Sequence, residues 1–143
     1  MSTHLVRIMI TKAIYYFSLT GKTAALVEDI NQQDFPVIRL NNKDPKQFEF
    51  GNEEVIVIGS PTYGRGVPPM YFKQIINELR SLTGRKIGLF GSGNTIYGED
   101  FCGAIDTLEE LLKQNNEIIF KYKFEGYPTD KVKNKFYEML KLD

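Results

Sequence analysis

One cysteine and one histidine are all that the 143 residues hold of the two side chains most used in thiol and transition-metal chemistry. Cys102 alone excludes an internal disulfide and a cysteine-based zinc cluster, which points to a reducing cytoplasm. His4 lies outside every loop of chemical interest and has no clustered partners, so it receives no role, and no metal site is expected. Net charge is missing as well: 18 basic residues against 18 acidic ones leave no polybasic footprint for nucleic acid and no strong acidic field. No apolar run reaches the length of a membrane span, and the opening MSTHLVRIMI carries Arg7 amid its apolar residues, unlike a signal peptide. Neither nucleic acid nor membrane is an expected partner.

What the chain does have is an alternation of strand and helix signals from end to end, with 42% hydrophobic and 25% charged residues. That is the pattern of a parallel sheet wrapped by helices, in one domain spanning residues 1–143. Strands are expected near residues 12–17, 36–40, 54–58, 86–91 and 118–124. Helices are expected near 22–31, 68–82, 99–114 and 129–142. In the second helix Phe72, Ile75, Ile76 and Leu79 recur at i, i+3, i+4 and i+7 behind Pro68 and Pro69, which suit a first turn. Thr129 is placed to cap the last helix. Residues 41–54 are polar and read as a loop, with room for a short helix at 44–48. Residues 1–10 stand either as an extension, with Met9 a second start, or as a lengthened first strand. This order suits a doubly wound α/β fold with strand order 2-1-3-4-5, whose ligand crevice lies at the carboxyl ends of strands one and three.

Three further absences narrow the ligand. GKT at 21–23 belongs in a nucleotide-triphosphate loop only if glycine stands five positions before Gly21, where this chain has Tyr16. A dinucleotide fingerprint starting at Gly91 needs glycine where Ile96 stands. The paired acids of a magnesium-dependent phosphoacceptor are absent where the first strand ends in Tyr16, Phe17 and Ser18.

Three loops remain, each rich in glycine and small hydroxyl residues. SLTGKT places Ser18, Leu19, Thr20, Gly21, Lys22 and Thr23 at a strand-to-helix turn, where main-chain N–H groups and the helix dipole favour an anion. By itself it reads either as a phosphate loop or as a plain hydroxyl-capped helix start. The second loop, GSPTYGRGVPP, supplies Ser60, Pro61, Thr62, Tyr63, Gly64, Arg65, Gly66 and Val67. Tyr63 can lie on a flat ring, and the peptide at Gly64 is free to turn over. The third, GSGNTIYGEDF, supplies Gly91, Ser92, Gly93, Asn94, Tyr97, Gly98 and Phe101. Together they suit a flat ring with a phosphorylated tail. Arg65 is either a tuning charge or a solvated loop charge, and Cys102 is read as a packing residue rather than a redox thiol.

SLTGKT resembles the [ST]-x-T-G-x-T phosphate loop of flavodoxins, and GRKIGLFGSGNTIYGEDFCGAIDTLEELLK is similar to that family's fourth strand, flavin loop and following helix. Within the group, the short glycine loop running into Val67 and Pro68, the SGN...YG..F pattern at 92–101, and YKFEGYPTDKV at 122–132 look more like the NrdI flavoproteins. The resemblance implies FMN, with its phosphate on Ser18, Thr20, Gly21, Lys22 and Thr23 and its ring between the second and third loops. It implies Tyr63 and Tyr97 as stacking candidates and the Gly64 carbonyl as the group that meets flavin N5–H. Carriers of this family usually set acids beside the ring; Arg65 and Asn94 stand here instead, which should raise the second-electron potential. The NrdI likeness implies reduced FMN that reacts with dioxygen and passes superoxide or peroxide to the dimanganese site of the class Ib ribonucleotide reductase small subunit. A flavodoxin or ferredoxin reductase would be the electron donor and the protein a monomer. The alternative is a short-chain flavodoxin acting as a one-electron carrier. No general acid or base is evident, so no catalytic side chain is expected.

Overall fold

The computed structural model describes residues 10–62, 66–94 and 102–141. Five parallel strands form one sheet in the order β2-β1-β3-β4-β5, with β1 at Lys12–Tyr16, β2 at Val37–Arg39, β3 at Val55–Pro61, β4 at Lys86–Gly93 and β5 at Glu117–Glu125. The centre of the sheet is legible from burial: Val55, Ile56, Val57 and Ile58 are a continuous apolar run because both of its faces are covered. Alternate residues serve opposite layers. Ala13, Tyr15, Ile56, Ile58, Ile87 and Leu89 pack beneath helices α2 (Met70–Gln74), α3 (Ile76–Ser81) and α4 (Gly103–Leu112). Ile14, Tyr16, Val55, Val57 and Phe90 pack with α1 (Lys22–Val27) and α5 (Asp130–Met139). Phe136 of α5 is fully buried there, its ring centroid 4.8 Å from that of Phe90. Among the described residues no helix is long and apolar enough to cross a membrane.

Several boundaries differ from the sequence expectation. The helix expected at 22–31 ends at Val27, because the Asn31 carbonyl accepts from the N–H groups of Asp34 and Phe35 while its side chain accepts from that of Gln33. The Asn31 contacts close a turn in place of another helical one. The helix expected at 68–82 begins at Met70, since Pro69 before it holds extended backbone (φ −55°, ψ 148°), and it breaks at Ile75 (φ −103°, ψ 22°). Residues 44–48 form a turn, while a 3-10 turn occupies Leu40–Asn42. Thr129 does cap α5, its side chain accepting from the Val132 N–H. Of the expected extension, only Ile10 is described, and it lines a shallow groove at the foot of the sheet with Val55, Phe120 and Met139.

Candidate functional site

The chain order reverses direction across the sheet between β1 and β3, so the loops leaving their carboxyl ends diverge and leave a crevice. The loop after β1 closes it from one side. It turns at Gly21, where φ is 92°, a left-handed conformation that an L side chain would strain. Gly21 is the N-cap of α1, and a glycine has no side chain with which to cap. Ser18 supplies one substitute from three residues upstream: its buried Oγ accepts from the Ala24 N–H at 3.2 Å. Among the described residues nothing in the chain accepts from the N–H groups of Lys22 and Thr23, the two amides before Ala24 in that first turn. Two unspent amides beside a glycine turn, with Lys22 the nearby cation, form a cradle for an anion such as a phosphate.

The loop is held from outside by residues that sequence reading missed. Asn41, in the 3-10 turn after β2, fastens Ser18 twice: its Oδ1 accepts from the Ser18 N–H at 3.0 Å and its Nδ2 donates to the Ser18 carbonyl at 2.7 Å. Arg39 Nη2 donates to the same carbonyl at 3.4 Å. The Tyr127 hydroxyl, from the loop between β5 and α5, donates to the Thr20 carbonyl at 2.6 Å. Leu19 is exposed, as is the side chain of Thr20.

Hydrogen bonds also join the first expected loop to the third, and the second to the helix that follows the third. Thr23 and Ser92 are both buried, and their hydroxyls meet at 3.2 Å across the gap between α1 and the end of β4. Thr62 Oγ1 accepts from the Ala104 N–H at 3.2 Å, so the residue after β3 caps the first turn of α4. Beside it, a Cβ placed on Gly103 would stand 2.5 Å from the Gly66 Cα, which only two glycines permit. The second segment is thus packed main chain to main chain against the start of α4.

Two expectations about these segments need correction. Ser60 and Pro61 belong to β3, and Ser92 and Gly93 to β4 beyond the expected strand end at Gly91, rather than to loops. The ladder continues through Ser60↔Gly91 and Pro61↔Ser92 between these strands, and through Gly93↔Glu125 into β5. Parallel pairing sets the strand ends here, with small residues tolerated because α4 lies directly over them. Ser60 is buried, its Oγ donating to the Pro61 carbonyl at 2.7 Å, while Asn94 and Val67 are exposed beyond the strand ends. Tyr63, Gly64, Arg65, Tyr97, Gly98 and Phe101 lie outside the described residues.

Cys102 is fully buried, with its Sγ 3.4 Å from the Gly91 carbonyl and 3.6 Å from that of Phe124. Burial pushes its thiol up to about 12, far from the range of a reactive thiolate. It is a packing residue, and it holds a left-handed turn (φ 52°) at the entry to α4. The described residues of the three segments carry a single charge, that of Lys22.

The flavodoxin sequence profile matches residues 14–131. The chain belongs to the flavodoxin family. It is 31% identical to the protein NrdI of Bartonella tribocorum over 123 residues, covering 82% of this chain and 83% of that one. It is 29% identical to a probable flavodoxin 2 of Bacillus subtilis over 108 residues, 71% of each chain. Among solved structures, the Fusobacterium nucleatum flavodoxin bound to flavin mononucleotide is 26% identical and superposes with a TM-score of 0.64, covering 85% of this chain and 80% of that one. In this flavodoxin fold the anion cradle after β1 is where the observed geometry and the family pattern meet.

Proposed function

We propose that this flavodoxin-family chain binds FMN and acts as a redox protein of the NrdI type. When bound, the flavin would supply electrons to dioxygen, giving superoxide or peroxide for assembly of the dimanganese tyrosyl-radical cofactor of a class Ib ribonucleotide reductase. The main-chain N–H groups of Lys22 and Thr23 and the residues from Ser18 to Gly21 would hold the phosphate. Segments 60–67 and 91–101 would hold the ring, with Tyr63 and Tyr97 stacking on it and the Gly64 peptide at N5. Nothing in this assignment asks a side chain to donate or remove a proton as a catalyst. We place the protein in the cytoplasm as a single domain, with the reductase small subunit as its partner and a flavodoxin or ferredoxin reductase as its electron source.

The observation that carries the NrdI reading is electrostatic. Arg65 and Asn94 stand where carriers of this family usually set acids beside the ring, and the carboxylates of the three segments are Glu99 and Asp100. Neutral or basic groups such as Asn94 and Arg65 do not repel the negative charge that arrives with a second electron, whereas carboxylates beside the ring do. The residues therefore favour a second potential higher than that of an acidic carrier. The similarity to a Bacillus subtilis flavodoxin supports the other reading, a one-electron carrier.

An anaerobic reductive titration of protein purified without added flavin, followed by visible absorption, tests both. A colourless protein that also fails to bind added FMN refutes the flavin reading altogether. A yellow protein with closely spaced one-electron potentials, which then generates a tyrosyl radical in a manganese-loaded reductase subunit under oxygen, is the expected outcome. Widely separated potentials and efficient exchange with a ferredoxin reductase would establish the carrier instead.

A further inference from the structure

Tyr127 is among the most exposed large hydrophobic residues described, at 64% of its surface, yet its hydroxyl makes one of the shortest hydrogen bonds near the site. The bond runs 2.6 Å to the Thr20 carbonyl and spans 107 positions of sequence, from the β5–α5 loop to the β1–α1 loop. The ring edge also stands beside Gly21: a Cβ built there would lie 3.6 Å from the Tyr127 hydroxyl and 3.7 Å from its Cε1. An exposed side chain recovers little from such a contact by burial, so the hydroxyl's bond is its main structural act.

That bond fixes a direction. The peptide joining Thr20 to Gly21 is trans, as the described residues contain no cis peptide, so its carbonyl and its N–H point to opposite sides. Holding the Thr20 carbonyl outward on Tyr127 turns the Gly21 N–H to the other side, away from Tyr127. Gly21 permits this at little cost, since its left-handed φ is open to glycine and leaves the peptide otherwise free to rotate. Without the anchor, that same freedom lets the peptide turn over and spoil the cradle.

We propose that Tyr127 is a positioning residue for the phosphate of the bound flavin, locking the Thr20–Gly21 peptide with its N–H toward the anion. This rests on the FMN reading above and adds a fourth loop to the three expected. Tyr127 touches no ligand; it sets the selectivity of the site for a phosphorylated over an unphosphorylated flavin.

The test compares wild type with Tyr127→Phe, which keeps the ring beside Gly21 and removes only the hydroxyl. Flavin-fluorescence titrations give the Kd of each full-length protein for FMN and for riboflavin, and urea unfolding of the ligand-free chains reports fold. The expected result is a loss of about fivefold in FMN affinity, the worth of one neutral hydrogen bond. Riboflavin affinity should stay unchanged, and the unfolding midpoint should fall by no more than about 0.5 M, the worth of one exposed hydrogen bond. The Gly21 amide resonance of the ligand-free protein should respond to inorganic phosphate in wild type and less in the variant. An unchanged FMN Kd, or equal losses for FMN and riboflavin, overturns the proposal. A wild-type protein that binds neither flavin fails differently, by removing the flavin reading on which the proposal rests.

Discussion

Replacing Thr23 by valine removes one hydroxyl from a pair that joins the helix after β1 to the end of β4, with almost no change in side-chain volume. Both partners are buried, Thr23 at 1% and Ser92 at 4% exposure, with 3.2 Å between their oxygens. Water cannot readily replace the lost partner, so the Ser92 hydroxyl is left unsatisfied. A neutral hydrogen bond is worth about 1 kcal/mol net, and an orphaned buried hydroxyl costs about 1–3 kcal/mol. Thr23→Val should therefore destabilise the ligand-free protein by about 1–2 kcal/mol. At a urea slope of about 2 kcal/mol per molar, the midpoint falls by about 0.5–1 M with the slope unchanged. Ser92→Ala alone should cost a similar amount. The double variant should cost less than the sum, because removing both groups leaves nothing unsatisfied, and the coupling should be about 1 kcal/mol. Single effects that add to the double within about 0.3 kcal/mol would refute the claim that these hydroxyls join the two segments.

Tyr15→Phe should cost about 1–3 kcal/mol in the same assay. Its buried hydroxyl donates to Glu53 Oε1 at 2.7 Å and accepts from the Gly51 N–H at 3.0 Å, and a change below about 0.5 kcal/mol would refute that role. Cys102 should resist a disulfide reagent at pH 8 in the folded state and react once unfolded, since its thiol is buried and pushed up to about 12. Its linkage has a definite sign: above the ordinary thiol range of about 8.5 the unfolded chain loses a proton that the folded chain keeps, so stability falls with rising pH. The stability of wild type relative to that of Cys102→Ala should therefore decline progressively from about pH 9 to pH 12, by at most about 1.4 kcal/mol per unit. Parallel curves across that window would contradict the buried thiol.

The fold was legible because its signals are periodic. Val55 to Ile58 is an apolar run that only a doubly covered strand explains, and Phe72, Ile75, Ile76 and Leu79 mark a helix face whatever its backbone does. That periodicity hides the break at Ile75, since a side-chain pattern continues across a local change of ψ. The strand ends were misread for a related reason: Ser60, Pro61, Ser92 and Gly93 have loop composition, and only the ladder to the neighbouring strand keeps them extended. The candidate phosphate loop could be proposed from its own residues, yet Asn41 and Tyr127, which hold it, could not. Their partners are main-chain carbonyls 23 and 107 positions away, and a carbonyl leaves no mark in a sequence. The pair of asparagines after β2 and the Gly126–Tyr127 turn were the available hints, each as readable as an ordinary loop.

The inward bonds of the hydroxyls do not disqualify them as ligands, because a hydroxyl has one hydrogen to give and two lone pairs to offer. Ser18 accepts from the Ala24 N–H, so its own hydrogen remains for an acceptor outside. In the Thr23–Ser92 pair one hydrogen lies between the oxygens and the other stays free, and either residue can be the donor. An anion beside Thr23 would draw its hydrogen outward and leave Ser92 to donate inward, while an empty cradle allows the reverse. On the FMN reading, the contact that braces the crevice would therefore also couple the phosphate cradle to the end of β4. Thr23→Ser keeps that coupling, whereas Thr23→Val deletes it together with the donor. On the FMN reading, serine should preserve most of the affinity for FMN over riboflavin and valine should lose it. Equal losses in the two variants would show that the threonine methyl, not the hydroxyl, is what the site requires.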